Sequence, residues 1–374
     1  MPSFVDGRVM KILCVLDDLG SGGSQRQLVE LALGFKEKGH DVSFLTYHHE
    51  AFFECILESN GIGFICINEA RYLRRVVRMR RFIRKGGYSA VLSFLETPSI
   101  ICEVAGFPKR NWKLVVGERS ANPDIVKRKK LRLYRWFHFL ADYVVANSFN
   151  NMAIVRSVNP FLPDRKCRVI YNMINLNEWK PTQEYTPRKD RKLKLVVAAS
   201  HQYLKNLNGL IEALALLSQE DRAKINVEWY GDRLSQPHFD GSLAEARRKI
   251  KEFDLGQVVS FFSATSEIRS KMQDADVVGL FSFYEGFPNA VCEGMACAKP
   301  VICSIVSDVS TVLSYDKKLL FDPNDIQSIS NTLVYVLGLG NDQLIEIGSR
   351  NRQIAREKFD RDVIVNKYLE LLNG

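Results

Sequence analysis

The chain has 374 residues, more than one ordinary core accommodates and enough for two domains of about 150 to 200 residues each. Its hydrophobic content of 46% and charged content of 25% are those of a soluble globular protein. No apolar run nears the roughly 20 residues of a membrane span and no apolar signal core opens the sequence, so a cytoplasmic location is expected. The eight cysteines are scattered without a CxxC pair, which argues against zinc and disulfides.

In chain order, strand-like runs at 11–16, 42–46, 64–67, 90–94, 113–116, 143–146 and 169–170 alternate with helical runs such as 25–38 and 129–141. Such alternation predicts an α/β fold with parallel sheets. After the first run, Leu16-Asp-Asp-Leu-Gly-Ser-Gly-Gly-Ser24 leads into a helix. Gly20, Gly22 and Gly23 let backbone approach a ligand closely, and Ser24 is the expected N-cap. The loop is not GxGxxG, and no acidic residue ends the second run, so an NAD-dependent dehydrogenase is disfavoured.

From Arg71 to Lys85 there are seven arginines and one lysine, part of a net charge of +9. At 100° per residue, Arg71, Arg74, Arg75, Arg78, Arg81 and Lys85 fall on one side, and Tyr72, Leu73, Val76, Met79 and Ile83 on the other. A second basic stretch, residues 127–138, interleaves cations with aromatics. Both stretches suit an anionic membrane surface, at about 1 kcal/mol per cation. The competing expectation is that their apolar residues pack on a sheet and the arginines are merely solvated; nucleic acid is the disfavoured partner.

The polar, proline-bounded segment 181–192 reads as a linker. It separates residues 1–180 from a second domain, 193–356, and the last residues, 357–374, form a helix that could return to the first domain. The alternation restarts at 193–199, 226–230, 258–261, 277–281 and 301–303, with helical runs between. Two such domains imply a cleft, with ligands at the carboxyl ends of strands. There Glu285 and Glu293, eight residues apart, bracket a Gly-Phe-Pro-Asn turn. The preceding segment reads as a buried strand, and a helix opens behind Asn289. A helix N-terminus favours anions, but a carboxylate at each end of the turn suits hydroxyl donors better than phosphate.

This pattern resembles the E-x7-E region of the retaining GT-B glycosyltransferases of family 4 (glycosyl transferases group 1). Six markers fall in that family's order: the Gly22-Gly23 loop, the strand end at Glu118, Asn172, Lys205, the Gly231 loop, and Glu285 with Glu293. The resemblance implies a GT-B fold, two Rossmann-like domains facing across a cleft, with the acceptor on the first and a nucleotide sugar on the second. It implies ribose contact by Glu293 and sugar-hydroxyl contact by Glu285. It also implies that the turn at Phe287, Pro288, Asn289 and Ala290 faces sugar and phosphate, with Lys205 on the diphosphate and Ala264 and Thr265 beside the base. Glu285, Glu118 and Lys205 form the expected catalytic set; Arg119, Asn172, Gly22 and Gly23 are expected to serve phosphate or acceptor.

The chain departs from the family in three places. Gln25 stands where a glutamate is usual. No histidine follows the fourth strand, where many members contact the donor sugar, which leaves Glu96, Glu118 and Arg119 to point into the cleft. Ser200 replaces the arginine of the diphosphate clamp, and a protonated His201 could supply part of the missing charge. Asn175 is expected to form a turn, and Asp274-Ala-Asp276, despite its DxD pattern, to be structural.

The implied activity is retaining transfer of a sugar from a nucleotide sugar, with UDP favoured, to a glycan acceptor. That acceptor is plausibly lipid-linked through a polyprenyl diphosphate, in surface polysaccharide or glycan assembly at the inner face of a membrane. No metal or other cofactor is expected. A nucleotide-sugar epimerase of GT-B fold, or a nucleotide-sugar-binding protein without turnover, are the alternatives.

Overall fold

The computed structural model describes residues 9–182, 191–231 and 241–373. Most of the expected linker, and Asp232 of the Trp229–Asp232 segment, lie outside the described residues. The chain divides into two compact units: the part up to Asn172 together with the last helix, Arg361–Asn373, and Met173–Asp360.

The first unit contains β1 (Lys11–Val15), β2 (Asp41–Thr46), β3 (Gly63–Cys66), β4 (Ala90–Phe94), β5 (Lys113–Glu118), β6 (Tyr143–Ala146) and β7 (Cys167–Val169). The second contains β8 (Leu193–Ala198), β9 (Ile225–Tyr230), β10 (Val259–Phe262), β11 (Val277–Leu280), β12 (Val301–Ser304) and β13 (Leu320–Phe321). Every recorded strand pairing is parallel. The orders are β3-β2-β1-β4-β5-β6-β7 and β10-β9-β8-β11-β12-β13. Both are the doubly wound order of a Rossmann-like domain, whose strand order reverses between β1 and β4 and between β8 and β11. The central strands β4 and β11 are buried at every position, as parallel strands covered on both faces must be.

The helix after β1 spans Gly23–Glu37 and buries Leu28, Leu31, Ala32 and Phe35, the spacing of one helical face. It starts two residues before the expected position. Gly22 is the N-cap, without a side-chain cap bond, and Ser24 lies inside the first turn. Gly34 on this helix faces the last helix: a Cβ there would stand 2.5 Å from Val365 Cγ2. Arg361 pairs with Glu37 at 2.6 and 2.9 Å, completing the dock of the last helix within this unit.

The two basic stretches differ from the two-sided pattern expected of them. In the Tyr72–Lys85 helix, Met79 and Ile83 are buried as expected, but Tyr72 and Leu73 are exposed because only the C-terminal half is covered. Arg84 donates to the carbonyls of Ala105 and Lys109, 2.9 and 3.1 Å, rather than standing free in solvent. In residues 127–138 the polarity is reversed, with Arg135 and His138 in the core.

All eight cysteines are free, and burial raises the thiol pKa of Cys14, Cys102, Cys292, Cys297 and Cys303. Asn175 is turn-forming: its Oδ1 accepts from the Asn177 amide at 3.1 Å. Asp276 is structural, held by both arms of Arg191 at 2.6 and 2.8 Å and by the Lys194 amide at 2.8 Å.

Candidate functional site

Within the second unit, the loops after β8 and β11 leave the sheet at its switch point, and they meet. The Phe283 amide donates to the Leu204 carbonyl at 2.9 Å, and the rings of Tyr203 and Phe283 lie 5.0 Å apart. The β8 loop ends at Asn206, a non-glycine residue at φ 59°. Its side chain accepts from the Gly209 amide (3.2 Å), capping the Leu207–Ala215 helix, and donates to the Pro323 carbonyl (2.9 Å). These bonds hold a left-handed backbone that asparagine tolerates better than most residues.

Lys205, one residue earlier, is thereby aimed at Glu285: Nζ lies 2.6 Å from Oε1. Ser282 Oγ donates to the same oxygen at 2.7 Å, and Ser304 Oγ donates to the Ser282 carbonyl at 2.8 Å. Ser307 Oγ donates to the Gly286 carbonyl and fastens the far side of the turn. Among the described residues, both hydrogen bonds to the Glu285 carboxylate fall on Oε1, and Oε2 has capacity to accept from a ligand. The side chains are 20% and 16% exposed, so the pair is reachable from solvent yet shielded enough for its charges to matter.

The turn passes into the Asn289–Ala296 helix, which begins at Asn289 itself, one residue before the expected start behind it. Pro288 is its N-cap, at φ −79°, and Phe287 is buried with its ring 5.4 Å from that of Phe359. Glu293 lies one turn into the helix and is buried, as is Ala290. Gly294 lets the helix lie close on β11, since a Cβ there would stand 3.0 Å from Val278.

Gly231 follows β9 and packs against the β8 loop. A Cβ at Gly231 would stand 1.9 Å from the Ala199 carbonyl oxygen, and the Trp229 indole donates to that same oxygen at 2.7 Å. The glycine is required by close approach, not by its dihedral angles. Ser200 is half-buried beside this contact, and His201 is buried with its ring edge-on to Phe261 at 5.4 Å. Ala264 is exposed, while Thr265 Oγ1 accepts from the Glu267 amide at 3.1 Å and shapes its own turn.

In the first unit, Gln25 Nε2 donates to Asp18 Oδ1 at 3.1 Å and lies 3.4 Å from Asp17 Oδ1. Burial, then the charge of Asp18, raises the Asp17 carboxyl pKa. A glutamate at position 25 would set a third carboxylate against these two; the amide donates instead, which accounts for the departure at this position. At the end of β4, Leu95 takes φ 74° and ψ 160°, a region that costs a non-glycine residue on the order of 1–3 kcal/mol. Arg119 stacks on Phe94, 3.6 Å from the ring centroid, and donates to Asn172 Oδ1 (3.1 Å) and Tyr368 Oη (2.5 Å). Burial lowers its pKa.

Glu118 was expected to point into a ligand cleft, and here the structure differs. Its Oε2 takes Arg135 Nη2 at 2.5 Å and its Oε1 takes His138 Nε2 at 2.9 Å. The other ring nitrogen of His138 meets Glu103 Oε1 at 2.7 Å. Glu96 touches the same network through Arg135 at 3.5 Å. Burial alone would lower the His138 pKa, but the carboxylates of Glu103 and Glu118 outweigh it and push it up to about 9. With a carboxylate on each ring nitrogen, an imidazolium can donate to both. Burial would raise the Glu118 pKa, but Arg135 and His138 hold it below its ordinary value, whereas burial keeps that of Glu103 above it.

Sequence reasoning missed Ser282, although Ser-x-x-Glu ahead of Glu285 was visible. It also missed Arg135 and His138 as core residues, for which the local pattern holds no signal.

Two doubly wound parallel-sheet units, one carrying a lysine–carboxylate pair at its switch point, define the GT-B class. The profile of the family described as Glycosyl transferases group 1 matches residues 179–353, and that of Glycosyltransferase Family 4 matches residues 21–178. The chain belongs to this glycosyltransferase family. It is similar to the putative colanic acid biosynthesis glycosyltransferase WcaL of Escherichia coli K12, 28% identical over 137 residues, or 34% of each chain. A longer match is to the N-acetylgalactosamine-N,N'-diacetylbacillosaminyl-diphospho-undecaprenol 4-alpha-N-acetylgalactosaminyltransferase of Campylobacter jejuni, 23% identical and covering 98% of this chain and 100% of that one. Among solved structures, Anabaena HepE in complex with UDP and glucose has a TM-score of 0.84 at 20% identity, covering 98% of this chain and 100% of that one. No helix among the described residues is long and apolar enough to cross a membrane.

Proposed function

We propose that this chain transfers a sugar, with retention of anomeric configuration, from a nucleotide sugar to a glycan acceptor carried on a polyprenyl diphosphate, without a metal. UDP is the proposed nucleotide. The observation that carries this reading is the Lys205–Glu285 pair at the β8 and β11 loop ends, with one carboxylate oxygen left to accept. Glu285 Oε2 would accept from a donor-sugar hydroxyl, Glu293 from the ribose, and Lys205 would face the diphosphate. The names of relatives that act on diphospho-undecaprenol substrates, and the UDP complex of HepE, support the donor and acceptor classes.

The acceptor hydroxyl attacks C1 on the face from which the diphosphate departs. The C1–O bond to phosphate breaks, the C1–O bond to the acceptor forms, and the acceptor proton passes to the leaving phosphate oxygen. Catalysis then rests on positioning and on stabilising the departing dianion, rather than on a protein acid or base. The first unit would hold the acceptor, and the enzyme would work from the cytoplasmic face of a membrane. Ser200 supplies no cation where the family has an arginine, which favours one rival: binding of the nucleotide sugar without turnover. Incubation of UDP-sugars with diphosphate-linked acceptors, read by mass spectrometry for the added sugar and by NMR for its anomeric configuration, decides between them. A product heavier by one sugar, with the donor's anomeric configuration, is expected; nucleotide binding without product under any donor–acceptor pair would leave the rival.

A further inference from the structure

The segment Lys129–Trp136 and the turn Phe137–Leu140 are built inside out. Arg135 and His138 are 0% and 1% exposed, whereas Leu133, Trp136 and Phe139 are 56%, 41% and 58% exposed, and the neighbouring Phe161 is 79% exposed. The ordinary arrangement of such a segment puts the apolar residues on the sheet and the cations in water. Here the core side is occupied by charge: Arg135 and His138 are received by Glu118 and Glu103. The backbone is fastened in this attitude by Asn159 Nδ2 on the Arg135 carbonyl (3.0 Å) and by Lys166 Nζ on the carbonyls of Phe139 and Ala141 (2.7 and 2.6 Å). The aromatic face is therefore held outward.

At 100° per residue, Lys129, Arg132, Leu133 and Trp136 share one side of the helix within about 100°, opposite Tyr134 and Arg135. Trp136 and Phe161 pack ring to ring at 6.1 Å, so the apolar surface is continuous from the helix onto the turn that carries Phe161. Around it stand five exposed cations, Lys127, Arg128, Lys129, Lys130 and Arg132, against the single acid of residues 124–139, Asp124. Tryptophan and phenylalanine flanked by lysine and arginine is the composition that settles at a bilayer interface. A second copy of the chain fits poorly, since a self-complementary contact would set these cations against their own kind.

We propose that the outward face of residues 127–139, together with Phe161, seats this protein on an anionic lipid bilayer, with Leu133, Trp136 and Phe139 entering the headgroup layer. This deepens the reading of a lipid-borne acceptor and takes its purpose from that reading, though the contact itself is tested without any acceptor. The membrane-facing element is thereby narrowed: the arginine-rich Tyr72–Lys85 helix contributes charge, and the inverted segment contributes the insertion.

The test is co-sedimentation of the full chain with vesicles of phosphatidylcholine alone, or with about one third phosphatidylglycerol. Wild type is expected to bind the anionic vesicles at least about tenfold more tightly than the neutral ones, with Trp136 fluorescence quenched by brominated acyl chains, a signal absent from Trp136→Phe. The double variant Trp136→Ser with Phe139→Ser, and separately Lys129→Glu with Arg132→Glu, should each lose that preference by about tenfold and keep the melting temperature and its shift with UDP. Equal binding to both vesicle types, or serine variants that bind as wild type does, overturns the proposal. So does loss, in the serine variants, of concentration-dependent self-association or of oligonucleotide binding with no vesicle binding in wild type, which assigns the face to a second copy or to nucleic acid. If vesicle binding behaves as stated but UDP leaves the melting temperature of wild type unchanged, the donor reading fails and the docking face stands; the reverse result separates them the other way.

Discussion

The two units each bring a carboxylate to a cation at the end of a parallel strand, and the two pairs have opposite fates. Glu118 in the first unit is saturated: Arg135 and His138 take its two oxygens in the core. Glu285 in the second unit gives Lys205 and Ser282 the same oxygen, at the surface of a loop, and keeps the other. Both glutamates sit where open α/β sheets bind ligands. Strand-end position alone therefore does not leave a carboxylate open to a ligand; the arrangement of its partners decides. The saturated pair orients a helix, and the desolvation of its charges is offset by their mutual attraction and hydrogen bonds.

Removing a partner from each site should separate the two roles. Glu118→Ala leaves Arg135 and His138 buried without their shared acceptor, so stability should fall by about 3–5 kcal/mol in urea unfolding, while any UDP-induced stabilisation of the remaining folded protein persists. Glu285→Ala should do the reverse: transfer falls by about 10²–10³-fold, or about 3–4 kcal/mol of transition-state stabilisation, with melting temperature and nucleotide affinity nearly unchanged. A Glu118 variant of wild-type stability, or a Glu285 variant of wild-type rate, would erase the distinction.

A third change strikes the frame around the exposed pair. Gly231→Ala forces a Cβ against the Ala199 carbonyl, which must move, and should cost about 1–3 kcal/mol and weaken UDP binding, measured by calorimetry. The last effect is a pH slope. The His138 pKa rises from 6.5 to about 9 on folding, so its stabilising contribution is full below pH 6.5 and is lost as pH climbs through 9. Urea midpoints should reveal a decline of about 3 kcal/mol across that window, absent from His138→Gln. A slope that survives in the variant would place the proton elsewhere.

Much of this was legible in the sequence for a physical reason. Alternation of apolar strands with amphipathic helices is local, so it announced two parallel sheets, and Pro288-Asn289 announced a helix start that the structure places within one residue. Strand ends follow from strands, which put Lys205 and Glu285 in the loops beyond them. Their contact, across 80 residues, depends on which strands are neighbours, and only the β8–β11 pairing supplies it. The strand β13, at two residues, is too short to leave a period. The inverted segment is the deepest failure of local reading. Leu133, Tyr134, Arg135 and Trp136 are compatible with either face inward, and the choice is made by Glu103 and Glu118, which other elements deliver.

A nucleoside diphosphate is proposed to sit at the Lys205–Glu285 turn of the second unit. The most direct measurement is the melting temperature of the purified chain titrated with UDP, GDP, ADP and NAD, repeated in Glu293→Ala and Lys205→Ala. A rise with UDP is expected, weaker or absent with NAD, and reduced in both variants. No rise with any nucleotide, or a rise with UDP that neither variant alters, would contradict it.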